Sequence, residues 1–131
     1  MSLIEKYIKE IEEDTELTEL CLKDVQLKLP AIKHKYAGRL IRTKINLSGL
    51  YNKRDDLKNG VIDQLKEEAP YELSDSVASK MADKHNKIRD INTQIYEQKI
   101  IIELLEKAER IFNSMTFDIK NIIDVMKLEV E

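Results

Sequence analysis

Three glycines and two prolines are all that 131 residues offer for tight turns. A sandwich or barrel needs turn signals about every 8–12 residues, and this sequence does not supply them. A few long helices satisfy the same scarcity, and the abundance of Glu, Lys, Leu and Ile suits them. The expected fold class is therefore all-α: long antiparallel amphipathic helices with a short terminal helix for oligomerisation. Charged residues make up 36% of the chain and aromatics 5%, with no tryptophan, which fits amphipathic helices better than a compact globule.

The apolar pattern lays the helices out. Leu3, Ile4, Tyr7, Ile8 and Ile11 recur at helical spacing until Glu12-Glu13-Asp14-Thr15 interrupts them, which predicts a short first helix. A second series, Leu17, Leu20, Cys21, Asp24 and Leu27, runs to Pro30, whose ring and missing N–H predict a boundary or kink. Beyond it Ile32, Tyr36, Leu40, Thr43, Leu47, Leu50, Arg54 and Leu57 keep steps of three and four, close to the repeat of a helix packed along a partner. Asn59-Gly60 is expected to stop this helix. At about 1.5 Å per residue it forms a rod of roughly 40 Å, which a chain of this size cannot cover on every side.

The acidic half-turn Glu67-Glu68-Ala69-Pro70 reads as the main connector, and Ser74 as the N-cap of the next helix. Val77, Met81, Lys84, Ile88, Ile91, Ile95, Gln98, Ile102, Leu105 and Phe112 form a second long repeat, expected to run antiparallel to the first. After Asn113-Ser114 the residues are apolar nearly all round. A short terminal helix of that kind needs burial that a small bundle cannot supply, so Phe117, Ile119, Ile122, Ile123 and Met126 are candidate oligomerisation residues. Residues 1–75 are read as an N-terminal helical region and 76–131 as the long helix with its oligomerisation helix, together one structural unit.

Charge is segregated along this layout although the net value is only −3. Residues 1–16 carry six acids and two bases, residues 31–60 eight bases and two acids, and residues 61–75 five acids and one base. The basic stretch lies between acidic neighbours, so the distribution says more than the sum. Lys35, Arg39, Arg42, Lys44, Lys53, Arg54 and Lys58 are the candidate DNA-binding residues. Several fall three or four apart and share a side of the helix, which makes a cationic ridge able to hold phosphates. The alternative is a solvated charged face, or one covered in cis by residues 1–16 and 61–75. Tyr36, Tyr51 and Tyr71 lie near the ridge; packing is the ordinary role of each, and Tyr51, beside Lys53-Arg54, is the best candidate for stacking.

Signatures of catalysis are absent from the sequence: no glycine-rich phosphate loop, no zinc-like Cys/His spacing and no nucleophile elbow. A non-enzymatic chain without cofactor or metal is expected. His34 and His85 sit among lysines and read as solvated. Glu12-Glu13-Asp14, Glu67-Glu68 and Asp55-Asp56 read as solubilising charge rather than catalytic or metal-binding pairs. The single cysteine, Cys21, reads as a structural thiol on a helix. With no apolar run of about 18 residues and no leader, a cytoplasmic protein with no membrane partner is expected.

Phe117-Asp118-Ile119-Lys120-Asn121-Ile122-Ile123-Asp124, following the leucine-rich Leu104-Leu105-Glu106, resembles the Phe-x-Ile-Lys-x-Ile-x-Asp segment of the UvsY-type phage recombination mediator proteins. His34-Lys35-Tyr36 and Leu50-Tyr51-Asn52-Lys53-Arg54-Asp55-Asp56-Leu57 resemble the family's basic DNA-binding segment. That segment has a lysine and an arginine two apart, whereas Lys53 and Arg54 are adjacent, and this chain ends Leu128-Glu129-Val130-Glu131 where relatives often finish with an aromatic and a glycine.

The resemblance implies a homo-oligomeric ring of six or seven subunits that binds single-stranded DNA and helps a RecA-like recombinase displace a single-strand-binding protein. The competing reading is a helical coiled-coil adaptor or assembly chaperone that binds only protein.

Overall fold

The computed structural model describes residues 2–18 and 21–130. They form four helices: α1 (Leu3–Asp14), α2 (Leu22–Glu68), α3 (Asp75–Asp83) and α4 (Asn86–Val130), with no strand among the described residues. The expected all-α fold is the observed one.

Helix ends follow local chemistry. Ser2 caps α1 by accepting the Glu5 N–H, and Ser74, as expected, caps α3 by accepting the Val77 N–H, each at 3.2 Å. Cys21 lies in the turn before α2 rather than on a helix; its Sγ accepts the Thr18 N–H at 3.1 Å and the Thr18 hydroxyl at 3.2 Å.

Three expected breaks are absent, and one break falls where none was expected. The boundary assigned to Pro30 is absent: α2 continues through it, with Leu29 and Tyr36 buried on either side. Proline removes one helical hydrogen bond and crowds the preceding turn, but apolar burial on both flanks outweighs that local cost. Asn59-Gly60 likewise does not end α2, which runs on to Glu68 and buries Val61 just past the glycine. A glycine ends a helix by adopting a left-handed conformation, and Gly60 does not adopt one.

The second long repeat is not a single helix. It breaks at Lys84-His85 between α3 and α4, where His85 Nδ1 accepts the Lys87 N–H at 3.1 Å. Nor is there a separate short terminal helix. Asn113-Ser114 lies inside α4, with the Ser114 hydroxyl satisfied by the Arg110 carbonyl at 3.1 Å, so the apolar tail is the last part of a 45-residue helix.

The chain forms two compact units. One combines residues 1–42 with 100–131. Its core gathers Ile11 of α1, Leu29, Tyr36 and Leu40 of α2, and Leu105, Phe112, Met115 and Ile119 of α4. Tyr36 meets Phe112 with ring centroids 4.8 Å apart, while Lys33 Nζ donates to Thr116 Oγ1 at 3.0 Å. A lower α2 number thus faces a higher α4 number, which is the expected antiparallel pairing.

The other unit is residues 43–99. Val61, Leu73, Ala78, Ala82, Ile88, Ile91 and Ile95 are buried there. Ala78 and Ala82, both fully buried, let α3 pack closely, and the Lys58–Asp83 and Lys66–Asp75 ion pairs set α3 antiparallel to α2. No helix among the described residues is long and apolar enough to cross a membrane.

Candidate nucleic-acid interface

The sequence places all seven candidate cations on α2, and the structure sorts them by what each one meets. Lys35 and Arg39 turn toward α1. Lys35 Nζ contacts Asp14 Oδ2 at 2.8 Å, and the same oxygen accepts the Tyr36 hydroxyl at 2.8 Å. Arg39 donates to both carboxylate oxygens of Glu10, Nη2 reaching Oε1 at 3.3 Å. Its guanidinium carbon also lies 4.9 Å from the Tyr7 ring centroid and 5.3 Å from that of Tyr36.

This enclosure shifts the groups involved. The hydrogen bond from Arg39 holds the Glu10 carboxyl below its ordinary value, and the same bond raises Arg39. Burial, followed by the hydrogen bond to Asp14, pushes the Tyr36 phenol far up. Tyr36 is 1% exposed and is a core residue rather than a stacking platform.

The acidic start of the chain therefore covers this part of the ridge in cis. The acidic connector, residues 61–75, pairs through Asp75 with Lys66, which is outside the candidate set, while Lys58 pairs at 2.9 Å with Asp83 of α3, outside the connector.

Arg42, Lys44 and Lys53 are exposed. Arg42 lies across Gly38, one turn earlier, where a Cβ would stand 3.5 Å from its guanidinium nitrogens. Arg54 Nη1 donates to the Asn92 side-chain oxygen at 3.2 Å, and the guanidinium carbon lies 5.1 Å from the Tyr51 ring centroid. Lys99 of α4 reaches the same ring at 5.7 Å. Sequence reasoning pointed to Tyr51 and Arg54 but missed Lys99. Asn92 and Lys99 stand seven residues apart on α4 with buried Ile95 between them, and that heptad spacing is the signal that places both on the α2-facing side.

Of the apolar candidates, Ile119 is 2% exposed and belongs to the chain's own core. Ile122, Ile123 and Met126 are partly buried against that core, whereas Phe117 is 70% exposed. Val125 and Leu128 are exposed as well. Ile123, Met126 and Val130, with Leu22 opposite, line an open apolar groove of about 550 Å³. Among the described residues no cluster of three or more His, Cys, Asp or Glu is arranged to hold a metal ion.

No family model matches the sequence, and no curated protein matches it in sequence. Solved structures are similar in fold. A crystal structure of the bacteriophage T4 recombination mediator protein UvsY superposes with a TM-score of 0.85 at 13% identity, covering 98% of this chain and 99% of that one. A second crystal form of the T4 protein gives a TM-score of 0.82 at 16% identity, covering 100% of this chain and 99% of that one. Over essentially its whole length, this chain has the fold of the T4 recombination mediator UvsY.

Proposed function

We propose that this chain is a recombination mediator: a ring of six or seven copies that binds single-stranded DNA and promotes loading of a RecA-like recombinase in place of a single-strand-binding protein. The observation that carries this reading is the whole-length fold likeness to UvsY. The protein hydrolyses nothing itself, takes no cofactor, and acts in the cytoplasm of the host cell.

Two surfaces support a division of labour. The exposed Arg42 and Lys53 and the half-buried Arg54 offer cations on α2, where phosphate contacts would release counterions from the strand. Phe117, Val125 and Leu128, with the groove beside Ile123 and Met126, leave apolar area on the end of α4 that a second copy would cover. Lys35 and Arg39, already neutralised by Asp14 and Glu10, would serve DNA only after α1 moved.

The test is fluorescence anisotropy of a labelled single-stranded oligonucleotide at low and moderate salt, with the protein's mass in solution measured alongside. Salt-sensitive binding by an oligomer is the expected result. No binding at low salt overturns the proposal in favour of an adaptor that binds only protein, a reading that the internal neutralisation of Lys35 and Arg39 favours.

A further inference from the structure

Among the described residues, Lys35, Arg39, Lys58 and Lys66 face carboxylates. Arg54 and Lys99 do not, although acids are close at hand in sequence. Asp55 and Asp56 follow Arg54 directly, and Glu97 lies two residues before Lys99. None of these carboxylates comes within ion-pairing distance of either cation among the described residues.

The two cations instead converge from different helices on one aromatic ring. Arg54 lies 5.1 Å and Lys99 5.7 Å from the Tyr51 centroid. Ring quadrupoles attract cations at such distances, which orients each charge without cancelling it. Among the described residues the one side-chain hydrogen bond fixing Arg54, at 3.2 Å, goes to the neutral amide oxygen of Asn92, so its charge and its remaining N–H groups stay available. Two like charges gathered at one side chain with no counter-charge repel each other, and an anion bound between them reverses that cost.

Resting on the DNA-binding reading above, we propose that Tyr51, Arg54 and Lys99 form a phosphate cradle: the phosphodiester of a single strand sits between Arg54 and Lys99, and Tyr51 holds both cations in place. Lys99 makes α4 a direct DNA-contacting element, alongside α2. Arg54 supplies several N–H donors that suit non-bridging phosphate oxygens, and the Lys99 ammonium, on an exposed side chain, approaches as a point charge.

The experiment uses the full chain and labelled dT20. In the wild-type protein, lysines are acetylated with and without saturating dT20 and read residue by residue by mass spectrometry. Anisotropy titrations across a salt series compare wild type with Lys53→Ala, Lys99→Ala and Lys99→Arg.

Protection of Lys99 by dT20 is expected, together with an affinity about fivefold weaker in Lys99→Ala and a salt slope shallower by about 0.7, partly restored in Lys99→Arg. Inorganic phosphate at the same concentration as the strand's phosphates should leave Lys99 reactive, which separates a strand from a free anion. If dT20 binds and protects Lys53 while Lys99 stays reactive and Lys99→Ala binds like wild type, the cradle is overturned and the mediator reading stands. If wild type binds no dT20 at all, the mediator reading itself fails and the cradle with it. The acetylation arm needs no variant, so the result does not depend on how Lys99→Ala folds.

Discussion

Arg39 of α2 donates to both carboxylate oxygens of Glu10 of α1, and Lys35 holds Asp14 one helical turn further along the same pair of helices. The positions that read in sequence as phosphate contacts are thus filled by carboxylates from the chain's own first helix. A carboxylate and a phosphate offer the same charge-assisted hydrogen bonds to a guanidinium, so under the proposed function α1 would compete with DNA for this part of the ridge. The double substitution Glu10→Gln and Asp14→Asn should lower the thermal midpoint by a few degrees and strengthen dT20 binding about three- to tenfold at low salt. A lower midpoint with unchanged DNA affinity would show that the pairs only dock α1.

The same pair sets a pH dependence. Glu10 is held below its ordinary value of 4.5 in the folded chain, chiefly by the hydrogen bond from Arg39. A carboxyl with a depressed folded pKa adds stability that is fully present above its unfolded pKa and is lost as pH falls through the folded one. Melting curves of wild type and Glu10→Gln should therefore differ at pH 7 and draw together below about pH 4. Curves that stay the same distance apart down to pH 3 would assign the difference to packing rather than to charge.

Phe112 is fully buried and its ring meets Tyr36, whose hydroxyl is tied to Asp14. This one side chain therefore supports the core directly and the α1 contact through Tyr36. Phe112→Ala should cost about 3–5 kcal/mol by denaturant titration, a large share of the stability of a small domain. Phe112→Leu should lose far less and retain the acid-sensitive difference described above.

Gly60 and Pro30 show where the sequence was legible and where it was not. Apolar periodicity gave helices, and residue type gave the Ser74 cap, because each depends on residues within a turn or two of one another. The strongest local punctuation misled: Asn59-Gly60 and Pro30 both lie inside α2, where burial of Val61, Leu29 and Tyr36 outweighs a breaker's intrinsic cost. The site was harder to read. Charge segregation located the basic ridge, but only tertiary pairing reveals that Glu10 and Asp14 answer Arg39 and Lys35, or that Lys99 meets Tyr51, since neither partner is near the other in sequence. A Cβ at Gly60 would meet nothing within 4 Å and its φ is not positive, so Gly60→Ala should raise stability by about 0.5–1 kcal/mol. A loss on that substitution would show that the helix there depends on glycine.

The exposed end of α4 gives the clearest division between folding and assembly. Ile119 is 2% exposed in the chain's own core, so replacing it should unfold the protein whether or not copies associate. Phe117 is 70% exposed and lies two residues away, on a different face of the same helix turn, where it adds nothing visible to that core. Phe117→Asp combined with Leu128→Asp should therefore leave helicity and the thermal midpoint of the dilute protein nearly unchanged while reducing its mass in solution from an oligomer to a monomer. Under the proposed function DNA affinity should fall with it, because a ring would offer many linked copies of α2 to one strand and a monomer only one. A double variant that keeps the wild-type mass would remove the α4 tail as the contact between copies. One that is monomeric yet binds dT20 with wild-type affinity would separate DNA binding from assembly altogether.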